Sequence, residues 1–353
     1  MIALQKKEGG IRPLTVGYTL RCLVAKCANA QVIKRRSDEL HPIQVGVSVS
    51  GGAEAAIHAM RRLVTDLPDD HVVVKLDFFK CVQHHRRDTV LDTVADKMPE
   101  LYRFIHASLS GSPKLSYSIY IIESANGSQQ GEPLSGLEFC HAVHSTLEES
   151  ASRTKLGYVD DLNLERKIFD AARDVQRIIN AQATTGLVLN TCKCEIVAND
   201  FNLVDKYPFF LDFKRVHKED MTFLGGPGLQ CRATDKLLQE KIADMERAIK
   251  RLALLQAHDA LCLLKNSISI SKLLYLLKTS PCFNNPLLAS VDDTLRRGLS
   301  LVLNVELDHK QCSPATLPVH MGDLGVRSAC MLAPSAFLVS VAATLPLQDA
   351  ILA

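Results

Sequence analysis

Two adjacent aspartates, Asp160 and Asp161, interrupt an apolar, strand-like run in the segment KLGYVDDLNL, residues 155–164. Like charges repel each other, and a charged group is costly to bury unless it is paired or bound to a cation. Apolar residues flank the pair on both sides, which predicts a strand, a tight turn that carries the acids, and a second strand. This segment alone allows two interpretations, a structural turn and a functional carboxylate site.

Two other aspartate pairs in the chain have ordinary explanations. Asp69 and Asp70 lie in DLPDDH, where proline and aspartate indicate an exposed turn. Asp292 and Asp293 lie in ASVDDTLRRGL, where we expect them in the first turn of a helix, facing its dipole. An aspartate pair is therefore no signature by itself, and the rest of the chain must decide between the two interpretations.

Length and composition indicate an intracellular protein of two or three domains. The chain has 353 residues, of which 47% are hydrophobic, enough for more than one core. We expect charge to interrupt each apolar run before the roughly 18 residues that a membrane span needs. The N-terminal segment lacks the features of a signal peptide. Eleven scattered cysteines indicate a reduced compartment, and Cys192 and Cys194 are interpreted as structural.

The distribution of charge along the chain is more informative than the net charge. The net charge is only +2, but the first forty residues are rich in cations: Lys6, Lys7, Arg12, Arg21, Lys26, Lys34, Arg35 and Arg36. A local basic field of this kind is what phosphate binding requires. A second basic series lies on a predicted amphipathic helix over residues 234–255, with Thr234 as its N-cap. A solvated helix face explains that second series equally well.

The order of predicted elements is a mixed α/β middle followed by a helical end. The run HVVVKLDFF predicts a buried strand over residues 72–78, with Asp77 at its C-terminal end. No Gly-x-Gly-x-x-Gly or phosphate-loop lysine motif follows any predicted strand, which argues against a dinucleotide-binding or P-loop domain. Antiparallel packing of strand 72–78 beside hairpin 155–164 would bring three carboxylates together.

Three close anions are unfavourable unless cations neutralise them. Mg²⁺ takes oxygen ligands and bridges carboxylates to phosphates and waters. Two such ions about 3.5–4 Å apart clamp the attacking and leaving oxygens of an in-line phosphoryl displacement. Asp77, Asp160 and Asp161 therefore suggest a metal site for phosphoryl transfer.

Seven sequence blocks occur in an order that identifies a resemblance to one family. They are KKEGGIRPL, QVGVSVSGGAEAAIHAMR, KLDFFKCVQHHRRD, NGSQQGEPLSGLEFC, GYVDDLNL, TGLVLNTCKCEI and FLGGPG. The chain resembles the reverse transcriptases of non-LTR retrotransposons over nearly its whole length. A lone Tyr-x-Asp-Asp segment would be a weak signal, whereas ordered blocks at compatible spacing are specific.

The resemblance implies an α+β fold of the right-hand polymerase type. It implies a fingers remnant over 1–66 and a palm with a small antiparallel sheet over 67–228, including a fingers insertion over 90–125. A helical thumb over 229–305 and a C-terminal helical tail over 306–353 would follow. The implied activity is RNA-dependent DNA synthesis with two Mg²⁺ ions, or Mn²⁺ as an alternative. The partners would be an RNA template, a DNA primer and dNTPs, without a membrane, in the nucleus or the cytoplasm. The oligomeric state is open.

The resemblance also implies roles for individual residues. Asp77, Asp160 and Asp161 would face the metals, and the backbone carbonyl of Phe78 would complete a metal shell. Lys193 would donate a proton to the leaving pyrophosphate or stabilise its charge. The residues implied to bind the nucleotide, or the template beside it, are Lys7, Arg12, Phe78, Val82, Gln130 and Gly131. Leu224 and Gly225 would hold the primer end.

The chain departs from the family pattern beside the first aspartate. Lys80, Cys81 and Val82 stand where the family usually has Asn-Ala-Phe. The aromatic residue of that motif excludes a ribose 2′-hydroxyl, and Val82 is smaller, so the choice of sugar is open. Two alternatives follow: an inactive, truncated relative that binds nucleic acid, and an RNA-dependent RNA polymerase. A complete retrotransposon protein would be longer, so whether the chain is a fragment with a missing endonuclease is also open.

Overall fold

The computed structural model describes residues 1–5, 11–79, 84–229, 232–317 and 319–353. These residues form two compact units. The first unit comprises Met1–Ala56, Leu67–Val216 and Asp349–Ala353, and the second comprises Ile57–Asp66 and His217–Gln348. The fold is a mixed α/β one with small sheets and many helices, as the sequence predicts. The predicted division into fingers, palm, thumb and tail stays a prediction.

The first unit contains short strands and helices in alternation. Its strands are β1 (Ile2–Gln5), β2 (Ile11–Leu14), β3 (His71–Leu76), β4 (Lys114–Tyr117), β5 (Tyr120–Glu123), β6 (Thr154–Tyr158), β7 (Asp161–Lys167), β8 (Glu195–Ala198) and β9 (Lys214–Val216). Its helices are α1 (Thr19–Leu40), the start of α2 (Gly52–Thr65), α3 (Arg87–Lys97), α4 (Pro99–Leu109), α5 (Ser135–Glu148), α6 (Ile168–Asn180), α7 (Gln182–Thr185) and α8 (Phe201–Val204).

A five-stranded sheet with the order β6-β7-β3-β8-β9 organises the first unit. Strand β3 pairs antiparallel with both β7 and β8, and Leu76 lies opposite Leu162 in the register. The predicted antiparallel packing of strand 72–78 beside hairpin 155–164 is therefore confirmed. Because side chains alternate along a strand, one face of β3 carries Val72, Val74 and Leu76, which are buried in the core.

The opposite face of this sheet carries charged and polar side chains beside buried Val73 and Val197, and we call it the polar face. His71 Nδ1 lies 2.5 Å from Glu165 Oε1 on that face, and Lys75 Nζ lies 3.7 Å from Glu195 Oε2. On the core face, α6 contacts β3, and α5 packs between α1 and α3 in the same hydrophobic cluster. The sheet therefore packs one face into the main hydrophobic cluster and carries charged side chains together with buried Val73 and Val197 on the other.

In its described residues, the second unit is helical except for one small hairpin. The hairpin is formed by β10 (Thr222–Phe223) and β11 (Gly226–Pro227). The helices are the remainder of α2, α9 (Arg232–Leu252), α10 (Ala257–Leu263), α11 (Leu274–Thr279), α12 (Leu287–Leu303), α13 (His309–Ala315) and α14 (Ala329–Leu352). Its core joins α9 to α12, which approach closely because Gly298 lacks a side chain: a Cβ there would lie 2.8 Å from Ile249 Cδ1.

Two helix-end predictions are wrong. Helix α9 begins at Arg232, so Thr234 lies inside its first turn, fully buried, with Oγ1 3.4 Å from the Leu229 carbonyl oxygen. Helix α12 begins at Leu287, because the Asn285 side chain accepts a hydrogen bond from the Leu287 amide. Asp292 therefore lies within α12, not in its first turn.

The expectation that charge interrupts every apolar run is also wrong. Residues 329–348 carry no charged side chain, and Ala329–Leu352 is long and apolar enough to cross a membrane by length and composition. The segment Ala257–Thr279 passes the same test, with 44% of its apolar window buried against 17% for Ala329–Leu352. These two criteria do not distinguish a membrane span from the packed helix of another kind of protein.

Candidate functional site

The aspartates singled out by the sequence meet at one end of the five-stranded sheet. Asp77 directly follows β3, and Asp161 begins β7. Since Leu76 lies opposite Leu162, the next step along the register brings Asp77 opposite Asp161 on the polar face. Asp160 lies in the two-residue turn between β6 and β7, where Tyr158 pairs with Asp161. Hairpin geometry and strand pairing thus assemble the three acids.

The pKa of Asp77 shows that these groups influence one another. Burial raises the pKa of Asp77, and repulsion from Asp160 raises it further. The Lys193 ammonium group and a hydrogen bond from Asn190 act in the opposite direction. The pKa of Asp77 therefore responds both to a neighbouring carboxylate and to neighbouring cations, as expected in a shared anionic site.

Asp161 has the same kind of surroundings. Burial raises its pKa, the Lys75 ammonium group lowers it, and the negative charges of Asp160 and Asp77 raise it. Asp160 is the exposed member of the set. The site therefore combines two half-buried carboxylates with one that faces solvent, and Lys75 and Lys193 supply the positive charge nearby.

The segment from Val188 to Cys194 closes one side of the site by pairing with the end of β3. The Phe79 amide donates to the Val188 carbonyl at 2.8 Å, and the Asn190 amide donates to the Asp77 carbonyl at 2.8 Å. The Asn190 side chain donates a further bond from Nδ2 to Asp77 Oδ1 at 3.2 Å. These bonds bring Lys193, in the 3₁₀ turn Thr191–Lys193, within electrostatic range of Asp77.

Cys194 contacts the backbone of Asp77 where β3 ends. Its side chain is buried, and the Asp77 amide donates to its Sγ at 3.4 Å. Burial raises the pKa of the Cys194 thiol to about 11, so it stays protonated at neutral pH. A protonated, buried thiol suits the structural role predicted for it and does not suit a metal ligand.

Phe78 anchors the same strand end in the core. Its side chain is 8% exposed and lines a small apolar cavity with Val143, Leu162, Ile178 and Leu187. Because Phe78 points into the core, its neighbours in sequence, Asp77 and Phe79, point the other way. The exposed Phe79 ring and the Asp77 carboxylate agree with this alternation.

Sequence reasoning gave no role to three polar residues that the structure places at or near the aspartates. Asn190 is one, although it stands in a block that carried the resemblance. Lys75 is another, and its spacing of two residues from Asp77 was an available signal. Asn163, opposite Lys75 in the register, is the third. Its side chain is 2% exposed, and within the described part of the chain neither of its amide atoms has a hydrogen-bond partner.

Three of the predicted nucleotide-binding residues, Arg12, Gln130 and Gly131, lie on segments of the first unit that are joined through Thr15. Arg12 is exposed on β2. Further along the chain, the Thr15 amide donates a hydrogen bond to the Gln130 carbonyl at 2.8 Å. Gly131 has a φ of 113° and lies so close to Thr15 that a Cβ would stand 2.6 Å from its carbonyl oxygen. The structure therefore brings Thr15, the residue after β2, against Gln130 and Gly131, and its close approach to Gly131 requires glycine.

The remaining predicted residues lie elsewhere. Leu224 and Gly225 form the turn between β10 and β11 in the second unit, with φ values of 48° and 76°. The Tyr275 hydroxyl donates to the Leu224 carbonyl at 2.8 Å and holds that turn. Lys7 and Val82, and their neighbours Lys6, Lys80 and Cys81, lie outside the described residues.

The aspartates do not complete a metal site from the described protein side chains. Among the residues that the structure describes, no group of three or more His, Cys, Asp or Glu side chains forms a metal site by itself. Mg²⁺ is commonly held by one or two carboxylates together with substrate phosphates and waters. Asp77, Asp160 and Asp161 therefore form no cage made of protein ligands alone, and a magnesium ion beside them would need further ligands from substrate phosphates and waters.

No protein-family model matches the chain. No curated protein matches it either. Among solved structures, the chain is similar to telomerase from Candida albicans in complex with a TWJ fragment of telomeric RNA. That likeness has 12% identity and a TM-score of 0.43, and it covers 92% of this chain and 54% of that one.

Apo telomerase from Candida tropicalis has 12% identity and a TM-score of 0.44, with coverage of 95% and 59%. Telomerase from Candida tropicalis with the TWJ fragment has 14% identity and a TM-score of 0.38, with coverage of 95% and 56%. The chain spans a little over half the length of these three proteins. The function proposed for the chain therefore depends on the residues of the site and not on these similarities.

Proposed function

We propose that the chain is a template-directed nucleotidyltransferase, and specifically an RNA-dependent DNA polymerase of retrotransposon type. The observation that carries the proposal is the convergence of Asp77, Asp160 and Asp161, beside Lys193, at one end of an antiparallel sheet. Carboxylates assembled in this way are costly unless cations offset their repulsion. The order of sequence blocks around them supports the reverse-transcriptase assignment.

The residues of the site have distinct parts in the proposed reaction. Asp77 and Asp160 would be the direct metal ligands, and Asp161 would add negative charge beside them. Bound magnesium would supply charge stabilisation to the phosphoryl group that is transferred. Asn190 would fix the Asp77 carboxylate through its 3.2 Å hydrogen bond. Lys193 would give a proton to the leaving pyrophosphate or stabilise its charge, and Arg12 would neutralise the incoming triphosphate.

Primer extension tests the proposal. The purified chain would receive an RNA template annealed to a DNA primer, Mg²⁺, and either dNTPs or rNTPs. We expect extension with dNTPs. Extension with rNTPs alone would instead identify an RNA polymerase. Binding of the hybrid without extension by either set of nucleotides would identify an inactive nucleic-acid-binding relative.

Two variants connect the activity to the site. We expect Asp77→Asn and Asp160→Asn each to abolish extension, because an amide ligates Mg²⁺ poorly and removes a negative charge. Asp70→Asn is a matched control, since it changes one member of another aspartate pair in an exposed turn. Full extension by either of the first two variants would contradict the assignment of the site.

A further inference from the structure

The turn that carries Asp160 has an unusual backbone. Val159, the first residue of the two-residue turn, has a φ of 57°. This left-handed region is disfavoured for any residue with a Cβ, and strongly so for a β-branched one. A conformation of this kind persists only when its surroundings hold it in place. Asp160 follows directly, so whatever holds Val159 also sets the direction of the Asp160 carboxylate.

The side chain of Gln44 makes two hydrogen bonds to the backbone of Val159. Gln44 is completely buried. Its Oε1 accepts a hydrogen bond from the Val159 amide at 3.1 Å, and its Nε2 donates one to the Val159 carbonyl at 3.2 Å. A primary amide can serve a backbone N–H and a backbone C=O of the same residue in this way, because it carries one acceptor and one donor group.

The chain around Gln44 is built to support this contact. The Gly157 amide donates to the Ile43 carbonyl at 2.7 Å, and the Val45 amide donates to the Gly157 carbonyl at 2.9 Å. Residues 43–45 therefore lie alongside β6 as a short parallel bridge. This pairing fixes the backbone of Gln44 relative to the hairpin, so that its amide reaches the turn without a long flexible connection.

Two glycines leave the space that the Gln44 amide needs. A Cβ at Gly157 would lie 2.5 Å from Gln44 Nε2, and a Cβ at Gly46 would lie 2.8 Å from the Val159 amide nitrogen. Both distances are shorter than non-bonded contacts allow. Gln44, Gly46 and Gly157 thus form one arrangement around Val159, which we call the turn clamp.

We propose that Gln44 is a positioning residue: through the turn clamp it holds Val159 in its left-handed conformation and thereby directs Asp160 into the site. This inference rests on the proposed nucleotidyl transfer for its effect on rate. Gln44 itself touches the turn backbone and not the substrate. Its removal should therefore lower kcat and leave KM for the nucleotide nearly unchanged.

The test compares Gln44→Leu with a double variant. Leucine has a similar size but offers neither hydrogen bond, so we expect kcat to fall at least 10-fold with KM within 3-fold of the wild type. Glycine adopts a φ of 57° without strain, so Val159→Gly should make the turn less dependent on the clamp. We expect the double variant Gln44→Leu/Val159→Gly to recover at least 3-fold in kcat over Gln44→Leu alone.

A matched control separates positioning from the loss of a buried amide. Gln348 is 1% exposed and donates to the Val341 carbonyl at 3.1 Å in the second unit. Gln348→Leu should lower the melting temperature without changing kcat. A kcat for Gln44→Leu within 2-fold of the wild type would overturn the proposal. A kcat for Gln44→Leu/Val159→Gly no higher than that for Gln44→Leu would also overturn it.

Hydrogen exchange gives a second readout that needs no activity. In the wild type the Val159 amide is bonded to Gln44, so peptides that cover residues 155–164 should exchange faster in Gln44→Leu than in the wild type or in Gln348→Leu. If the wild type shows no extension but this acceleration occurs, the proposed function fails and the clamp stands. Unchanged exchange in Gln44→Leu would overturn the clamp whatever the activity.

Discussion

Glu138 brings an ionisable group into the interior of the first unit. It lies on α5 with its side chain buried, and the Ser128 hydroxyl donates to its Oε2 at 2.6 Å. Burial raises the pKa of Glu138 to about 7, with the nearby charge of Glu132 adding to the effect. The protonated form is therefore favoured in the folded state at a pH where an unfolded glutamate is ionised.

Glu138→Gln should make the protein more stable at high pH. The stability that the raised pKa contributes is fully present below the unfolded pKa, near 4.5, and is lost as the pH rises to about 7. The glutamine variant mimics the protonated acid, so it should match the wild type near pH 4. At pH 8 it should exceed the wild type in unfolding free energy by on the order of 3 kcal/mol.

Urea unfolding at both pH values measures this difference for Glu138→Gln. The matched control is Glu149→Gln, because Glu149 lies one residue beyond the same helix and is exposed. That control should change the unfolding free energy by less than about 0.5 kcal/mol at either pH. A Glu138→Gln effect that does not vary with pH would show that Glu138 has an ordinary pKa.

Asn190 should affect the rate of the proposed reaction and not the affinity for nucleotide. Its side chain bonds the Asp77 carboxylate directly, and a hydrogen bond to a charged group contributes about 1.5–3 kcal/mol. Asn190→Ala should therefore lower kcat by roughly 10-fold or more with little change in KM. Steady-state extension kinetics measure both constants.

Asn199→Ala provides the comparison for Asn190. The Asn199 side chain donates to the Leu67 carbonyl at 2.6 Å and to Asp69, and neither partner belongs to the site. Its loss should lower the melting temperature and leave kcat unchanged. If the two asparagine variants had equal effects on kcat, the role of Asn190 would be structural support alone.

Among single elements, α6 is tied to the hairpin through one buried acid. Asp174 on α6 is completely buried and accepts hydrogen bonds from Ser152 Oγ at 2.7 Å, Ser150 Oγ at 2.9 Å and the Ala151 amide at 3.0 Å. Burial alone would raise the pKa of Asp174, but these bonds outweigh it and hold the pKa below its usual range. The bonds fix the loop that leads into β6.

Asp174→Ala should destabilise the first unit strongly at neutral pH. It leaves two buried hydroxyl donors and one partly buried amide without their acceptor, at a cost of about 2–4 kcal/mol in unfolding free energy. A lowered pKa contributes stability above the unfolded pKa, near 3.9, that is lost as the pH falls through the folded value. The difference between the variant and the wild type should therefore shrink in acid.

Denaturant unfolding at pH 7 and pH 3.5 follows this change. Asp170→Asn serves as the control on the same helix, because Asp170 is partly exposed and pairs with Arg166 at 3.0 Å. Such a surface pair contributes about 0–1 kcal/mol. An Asp174→Ala cost no larger than that of Asp170→Asn would contradict the role of the buried bonds.

The aspartate pairs show how far a sequence predicts individual elements. The hairpin around Asp160 follows from alternating apolar residues, and the structure confirms it. Asp292 was assigned to the start of a helix, but its carboxylate accepts from Ser328 Oγ and the Ala329 amide, each at 2.6 Å, and so caps α14. A local pattern predicts that an acid will satisfy helix N–H groups, but it cannot say which helix.

At the scale of the whole molecule, the sequence predicts the sheet and the aspartate site better than their supports. Strand periodicity and two acidic strand ends were enough to bring Asp77 and Asp160 together. Gln44 and Asn190 could not be assigned roles in this way, because each acts on a group that only the tertiary fold brings near. Ordinary polar residues carry no sign of such a contact in their own neighbourhood.

The structure also shows which cations of the basic N-terminal region are paired within the fold. Arg21 pairs with Glu132 at 2.9 Å, and Arg36 is buried in a pair with Glu100 at 2.7 Å, so these two cations are committed to the fold. Lys26, Lys34 and Arg35 are exposed on α1. If the chain binds nucleic acid, these three exposed cations on α1 are available to its phosphates, in addition to the exposed Arg12 on β2.

Salt dependence of hybrid binding tests this division of the charges. Each phosphate that a cation neutralises adds roughly 0.9 to the slope of log affinity against log salt concentration. The triple variant Lys26→Gln/Lys34→Gln/Arg35→Gln should bind an RNA–DNA hybrid more weakly, with a slope smaller by about 1 for each phosphate left without its cation.

A charge-matched control, Lys114→Gln/Lys206→Gln/Lys310→Gln, removes three exposed lysines elsewhere. An equal fall in slope for both variants would mean that net charge, and not the α1 surface, attracts the nucleic acid. Fluorescence anisotropy across a salt series, with Asp160→Asn as the background to prevent extension, provides the measurement.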